Sequence, residues 1–108
     1  TNPNGDIFGG FVLSQMDIAG GIFTRKLTGA KTVTVAVDAM EFHLPVLVGD
    51  VICCYCELIK TGRTSVTVHV EVWVTRQFEE ERIKVTEGTF TYVAINDQRR
   101  PIPFKKQS

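Results

Sequence analysis

The sequence predicts an α+β domain in which one buried helix is followed by antiparallel strands that pack against it. Two observations predict this class. Between Gly10 and Leu27, apolar residues cover almost the whole circumference of a helix, which is typical of a buried helix. Between Val66 and Thr75, valines alternate with polar residues, which is typical of a strand with one buried face. A chain of 108 residues has the size of one domain, so we assign residues 1–108 to one.

The helix has recognisable ends. Asn4–Asp6 and Gly9–Gly10 are turn-forming residues before it, while Lys26 and Gly29 are typical of a helix C-terminus. Two adjacent glycines, Gly20 and Gly21, lie in its middle. Because glycine inside a helix costs about 1 kcal/mol relative to alanine, we expect another part of the backbone to approach there. The apolar residues of the segment are Phe11, Val12, Leu13, Met16, Ile18, Ala19, Ile22 and Phe23.

Four strands are predicted after the helix. The first runs to Phe42, before the break at Pro45, and the second contains the apolar run Val51–Cys56. A hairpin turn at Lys60–Thr64 leads to the alternating valines. A turn at Glu79–Glu81 then joins a strand that ends near residue 77 to one over residues 82–95. Four strands cannot enclose a helix that is apolar all round, so we expect a second copy of the chain to complete its burial.

The composition excludes several classes of partner. Twelve basic and twelve acidic residues give no net charge, so no overall field attracts nucleic acid or an anionic membrane surface. The apolar runs fall far short of the roughly 18 residues that span a bilayer, and the N-terminus has no export-signal pattern. Three cysteines at Cys53, Cys54 and Cys56 are too close together for a disulfide framework, which favours the reducing cytoplasm.

Asp17 is the anomalous residue of the helix. It lies among apolar residues and glycines, with no basic side chain three or four positions away to pair with it. One interpretation is that this side of the helix is wet and Asp17 points to solvent. The other is an active-site carboxylate at a subunit boundary, acting as general base or nucleophile.

Gly9 and Gly10 precede the helix, where free backbone N–H groups and the helix dipole suit an oxyanion or a phosphate. They could equally be loop glycines that need a positive φ. Two helical turns, roughly 10 Å, separate Gly10 from Asp17. That distance is too long for both to act on one carbonyl, so any cooperation between them would join two chains.

The remaining polar candidates have structural interpretations. Cys54 and Cys56 share one face of a strand and Cys53 takes the other, so we interpret them as buried structural thiols and predict no metal site. We assign His43 a structural or interface role. His69 alternates with buried valines, so we expect it at the surface.

Taken together, the motifs resemble those of the YciA-type acyl-CoA thioesterases, which have the hotdog fold, over nearly the whole chain and in the same order. The motifs are Gly5–Gly10, Gln15–Asp17, Thr34–Met40, Val48–Val51, Gly62–Ser65 and Val70–Val74. The resemblance implies a sheet wrapped around a central helix, a homodimer joined through the strand over residues 32–42, and a trimer of such dimers. The family has a further strand before the glycine-rich segment, where this sequence starts.

The resemblance also implies the chemistry. Acyl-CoA would be hydrolysed to a carboxylic acid and coenzyme A without a cofactor, with Asp17 as base or nucleophile and the N–H groups around Gly9 and Gly10 as the oxyanion hole. Asp6 would have a supporting role. The alternative is a non-catalytic hotdog domain that binds acyl-CoA or acts as an oligomeric scaffold.

Coenzyme A carries phosphates that need cationic partners. The resemblance places the turn Gly62, Arg63, Thr64 and Ser65 at the nucleotide. The basic residues near the end of the chain are a second possibility, although a solvated tail explains them equally well. They are Arg99, Arg100, Lys105 and Lys106.

Overall fold

The computed structural model describes residues 6, 7 and 9–106, with only the backbone at residues 6 and 7. Over these residues the chain forms one helix and six strands. Their order is β1 (Asp6–Ile7), α1 (Gly9–Thr28), β2 (Lys31–Phe42), β3 (Val46–Leu47), β4 (Val51–Thr61), β5 (Ser65–Thr75) and β6 (Arg82–Ile95). The α+β class is confirmed.

The four long strands form one antiparallel sheet in the order β2-β6-β5-β4. They are the four predicted strands. β5 and β6 lie in the centre, while β2 and β4 are the edges among the described strands. The short strands β1 and β3 pair separately, through Asp6 with Leu47 and Ile7 with Val46. They were not predicted, because a strand of two residues is too short to show a periodicity.

The valines of β5 form the centre of the core. All five are fully buried, as the alternation predicts, and they meet buried residues of β6 and α1. Burial of one such side chain contributes about 1.5–3 kcal/mol. The valines are Val66, Val68, Val70, Val72 and Val74.

α1 is buried along one stripe only. The stripe repeats every four residues and comprises Val12, Met16, Gly20, Thr24 and Thr28. On another side, Phe11, Ile18 and Ile22 are about half exposed, at 48%, 54% and 55%. Since these three residues are seven and four positions apart, they form one face, here called the outer helix face. The expectation that four strands cannot cover this helix is confirmed.

The ends of the elements follow ordinary turn chemistry. α1 ends at Thr28, and the following Gly29 has a φ of 67° and donates its N–H to the carbonyl of Arg25 at 2.9 Å. The hairpin between β4 and β5 closes with a hydrogen bond from Gly62 N to Ser65 O at 2.8 Å. Among the described residues α1 is the one helix, and it does not combine the length and the apolar character that a membrane span needs.

Candidate active site

Asp17 is fixed by two hydroxyl groups from the sheet. Thr34 Oγ1 donates to Asp17 Oδ1 at 2.5 Å, and the Tyr92 hydroxyl lies 3.1 Å from the same oxygen. The Tyr92 hydroxyl is also 2.9 Å from the backbone carbonyl oxygen of Asp17. The carboxylate is half-buried, and the two hydroxyls hold it in one orientation instead of leaving it free in solvent.

The sheet brings both hydroxyls to one point of the helix. Thr34 of β2 and Tyr92 of β6 lie directly opposite each other in the antiparallel pair, so their side chains share a face. β2 has a register shift immediately after Thr34, and such bulges re-aim side chains beside sites. Burial raises the pKa of the Tyr92 hydroxyl, and the neighbouring charge of Asp17 raises it further. Tyr92 therefore stays protonated and acts as a donor.

Gly20 makes room for Tyr92. A Cβ atom at Gly20 would collide with the Tyr92 hydroxyl and lie 2.8 Å from the ring carbon that carries it. A Cβ at Gly21 would meet nothing within 4 Å. A close approach is therefore found at Gly20 and not at Gly21 within this chain. The approaching group is the Tyr92 side chain, so the expected backbone approach is wrong.

A groove opens beside Asp17. It has a volume of about 330 Å³ and reaches the start of the helix. Gly10 and Asp17 are seven residues apart, so they lie on the same side of α1 two turns apart. The groove is lined by Gly10, Leu13, Ser14, Asp17, Thr34, Val37 and Phe90.

The N-terminus of α1 holds the other predicted site residues. The helix begins at Gly9, and both Gly9 and Gly10 are exposed. A Cβ at Gly9 would lie 3.4 Å from the Phe42 ring, whereas one at Gly10 would meet nothing within 4 Å. Packing within this chain therefore does not require glycine at residue 10. Asp6 pairs through its backbone, and its side chain lies outside what the structure describes, as do residues 1–5 and 8.

The predicted nucleotide turn lies apart from this groove. Arg63 is exposed at the tip of the hairpin between β4 and β5. A second groove of about 400 Å³ is lined in part by Arg25, Lys31 and Arg99. Thus Arg99 joins a cationic cluster near the C-terminal end of α1, while Arg63 lies outside the described linings of both grooves.

The histidines lie away from Asp17. His69 projects from the face of the sheet opposite α1, because it alternates with the buried Val68 and Val70. His43 donates a hydrogen bond to Glu87 and lowers the pKa of that carboxyl. The indole of Trp73 likewise lowers the pKa of Glu71.

The cysteines are half-buried, so their interpretation as buried thiols is wrong in degree. They lie on β4, which is an edge strand and is covered on fewer sides than β5. Burial still raises the pKa of the Cys56 thiol to about 11, with Cys54 adding to the shift. Cys54 and Cys56 pack against the hydrophobic core.

Sequence reasoning missed Thr34 and Tyr92 as partners of Asp17. A signal was present in the strand over residues 82–95, where Tyr92 falls on the same face as Phe90 and Ala94. A buried tyrosine hydroxyl usually needs a hydrogen-bond partner. The partner could not be read from the sequence, because it depends on the register of β2 against β6.

Known proteins share this architecture. Residues 4–77 match the model of the thioesterase superfamily. The acyl-CoA thioester hydrolase YciA of Salmonella typhimurium is 46% identical over 110 residues, which cover 99% of this chain and 83% of that protein. A hexameric thioesterase from Yersinia pestis is 48% identical with a TM-score of 0.93, covering 97% of this chain and 86% of the other.

A third relative carries the name of the fold. A hexameric hotdog fold thioesterase of Campylobacter jejuni is 40% identical with a TM-score of 0.90, covering 97% of this chain and 81% of the other. The single helix on an antiparallel sheet is therefore a hotdog fold. With these matches along nearly its whole length, the chain belongs to the thioesterase superfamily.

Proposed function

We propose that this protein hydrolyses acyl-CoA thioesters to a free carboxylic acid and coenzyme A, with Asp17 as the reacting carboxylate. The observation that carries the proposal is the placement of Asp17: a half-buried carboxylate, oriented by Thr34 and Tyr92, at the side of an open groove. A carboxylate held in this way suits a general base or a nucleophile. The relatives named as acyl-CoA thioester hydrolases support the same chemistry.

Two routes would give the same products. As a base, Asp17 takes a proton from water while the water oxygen bonds to the thioester carbonyl carbon. As a nucleophile, it attacks that carbon itself, and water then hydrolyses the mixed anhydride. In both routes the carbon–sulfur bond breaks and the thiolate of coenzyme A takes up a proton. Carboxylate and water suffice for either route, so we assign no cofactor.

The N–H groups around Gly9 and Gly10 would stabilise the oxyanion. They stand at the positive end of the α1 dipole, at two exposed residues. Because roughly 10 Å of helix separates Gly10 from Asp17, the oxyanion donors and the carboxylate at one reaction centre would come from two chains. We keep Asp6 as a supporting residue for substrate or water.

We expect a homodimer, extended to a trimer of dimers, and this arrangement supports the dimer. The outer helix face is uncovered, and Val35 on the edge strand β2 is 56% exposed. Pairing of β2 with its copy would continue the sheet and place a second chain against the outer helix face. The related thioesterases from Yersinia pestis and Campylobacter jejuni are described as hexameric. A neutral chain suits self-association and does not favour nucleic acid or membranes as partners.

The turn of Gly62, Arg63, Thr64 and Ser65 is the proposed contact for the nucleotide of coenzyme A. Arg63 is exposed there, so its guanidinium is free to form charge-assisted hydrogen bonds with phosphate. The three thiols, free in the described residues, suit a reducing cytoplasm.

Asp17→Asn tests the proposal, because it removes the charge while keeping the size of the side chain. We expect a folded protein whose release of free thiol from acyl-CoA falls by several orders of magnitude. The assay uses acyl-CoA substrates of several chain lengths, so that an unsuitable acyl group is not mistaken for a lack of activity. Turnover within a fewfold of the parent would overturn the role of Asp17. A parent chain that binds a non-hydrolysable acyl-CoA analogue but releases no thiol would be the binding or scaffold domain instead.

A further inference from the structure

Both histidines of the chain lie against one carboxylate on the face of the sheet opposite α1. The sequence contains two histidines, one just after β2 and one in β5. His43 Nε2 is 2.7 Å from Glu87 Oε2, and His69 Nε2 is 3.1 Å from Glu87 Oε1. Glu87 therefore has one imidazole at each of its oxygens. None of these residues lines the groove of Asp17.

A second carboxylate meets the same nitrogen of His69. Glu71 Oε2 lies 3.1 Å from His69 Nε2, the same distance as Glu87 Oε1. A ring nitrogen carries at most one proton, so it cannot donate a full hydrogen bond to both oxygens. Ligand atoms bound to one tetrahedral zinc ion at about 2.0–2.2 Å are themselves about 3.3–3.6 Å apart. The two contacts of His69 Nε2 are close to this spacing, and all three atoms lie within 4.8 Å of one another, so one metal ion could contact all three.

The outer oxygens of both carboxylates are held by hydrogen-bond donors. Trp73 Nε1 donates to Glu71 Oε1 at 2.9 Å, and His43 holds Glu87 Oε2. Each carboxylate thus has one oxygen fixed by a neighbour and the other turned towards His69. Such outer contacts orient ligands in protein metal sites.

We propose that His69, Glu71 and Glu87 bind a divalent transition metal ion, with Zn²⁺ as the expected metal, at a site that the sequence did not predict. One imidazole nitrogen with two carboxylate oxygens suits zinc better than magnesium or calcium, which prefer oxygen ligands alone. His43 and Trp73 position the two carboxylates. The site is separate from Asp17, so its expected role is to tie β5 to β6 rather than to take part in hydrolysis.

Lys84 is the natural competitor of the metal. Its ammonium group lies 3.3 Å from Glu87 Oε2 and 3.7 Å from Glu71 Oε2. It therefore supplies one positive charge against two carboxylates, which leaves this group net negative while the imidazoles are neutral. A metal ion that enters must outcompete this ammonium group. Removing the ammonium should consequently strengthen metal binding, whereas it would have no such effect on a metal bound elsewhere.

Calorimetric titration of the chelator-treated protein with Zn²⁺ tests the site. We expect one Zn²⁺ per chain, and binding about 10- to 100-fold weaker or absent in His69→Gln. Lys84→Gln should bind Zn²⁺ several-fold more tightly. Lys31→Gln is the matched control, because Lys31 also pairs with a carboxylate, that of Asp97, but outside the cluster. Circular dichroism without zinc establishes that the variants fold.

Three results would overturn the proposal. One is a parent chain that takes up no stoichiometric Zn²⁺. Another is unchanged binding in His69→Gln, which would place the metal elsewhere, for example on the three thiols of β4. The third is Zn²⁺ binding in Lys84→Gln that is no tighter than in Lys31→Gln. Thioester hydrolysis is measured in parallel and should be the same in the parent, His69→Gln and Lys84→Gln, so the outcome is independent of the proposed role of Asp17.

Discussion

At the scale of single residues, the Asp17 carboxylate is oriented by hydroxyl groups that are distant from it in sequence. Thr34 and Tyr92 are paired across two strands, and both hydroxyls converge on one carboxylate oxygen. A carboxylate with two fixed donors is pre-oriented, so it loses little freedom when a substrate binds. This makes the two hydroxyl residues positioning residues for the proposed reaction, although neither need touch the substrate.

Thr34 can be tested with a matched pair of variants. Thr34→Val has nearly the same shape but no hydroxyl, so Asp17 loses its shorter hydrogen bond. A hydrogen bond to a charged group contributes about 1.5–3 kcal/mol, so we expect kcat to fall about 10- to 100-fold with little change in KM. Thr34→Ser keeps the hydroxyl and should retain most of kcat. Steady-state kinetics of the folded variants decides, and equal kcat values for the two would contradict the positioning role.

Arg63 separates nucleotide binding from catalysis. If its guanidinium contacts a phosphate in the ground state and the transition state alike, Arg63→Ala raises KM and leaves kcat nearly unchanged. The effect should shrink for a pantetheine thioester, which lacks the nucleotide phosphates. Kinetics with both substrates makes the comparison. An equal rise in KM for both substrates would show that Arg63 acts on the fold or on the pantetheine arm.

At the scale of elements, the periodicity of apolar residues predicts which face of a strand is buried, but it does not predict which side chains meet at the site. The valines of β5 alternate for the whole strand, and all of them are buried. The site is harder to predict, because Tyr92 reaches Asp17 only when β6 lies in the right register and α1 crosses the sheet at Gly20. Local patterns contain neither fact. Gly20 and Gly21 differ in their roles because only Gly20 lies against Tyr92, which the sequence pattern does not show.

Substitution of Gly20 and Gly21, which are adjacent in α1, should change the free energy of unfolding in opposite directions. Gly20→Ala places a methyl group against Tyr92, and such overpacking typically costs about 1–3 kcal/mol of unfolding free energy. Gly21→Ala meets no atom of this chain within 4 Å and should gain up to about 1 kcal/mol from helix propensity. Urea denaturation measures both. Equal stability of the two variants would contradict the contact between Gly20 and Tyr92.

At the scale of the whole molecule, the proposed active site needs a second chain. The outer helix face exposes three large apolar side chains, and β2 presents an open edge beside it. Burying this surface in a second copy would stabilise the fold and bring a second α1 N-terminus towards Asp17. Oligomerisation and catalysis should therefore be lost together, since the same face supports both.

Ile22→Lys tests this coupling. Ile22 is 55% exposed on the outer helix face, so a lysine there leaves the single chain nearly undisturbed but places a charge in the proposed interface. We expect sedimentation velocity at micromolar concentration to show smaller species than the parent, with thioesterase activity lost in proportion. Phe78→Lys is the control, because Phe78 is 96% exposed on the loop between β5 and β6. It should sediment and turn over like the parent. A fully active monomer of Ile22→Lys would show that one chain carries the complete site.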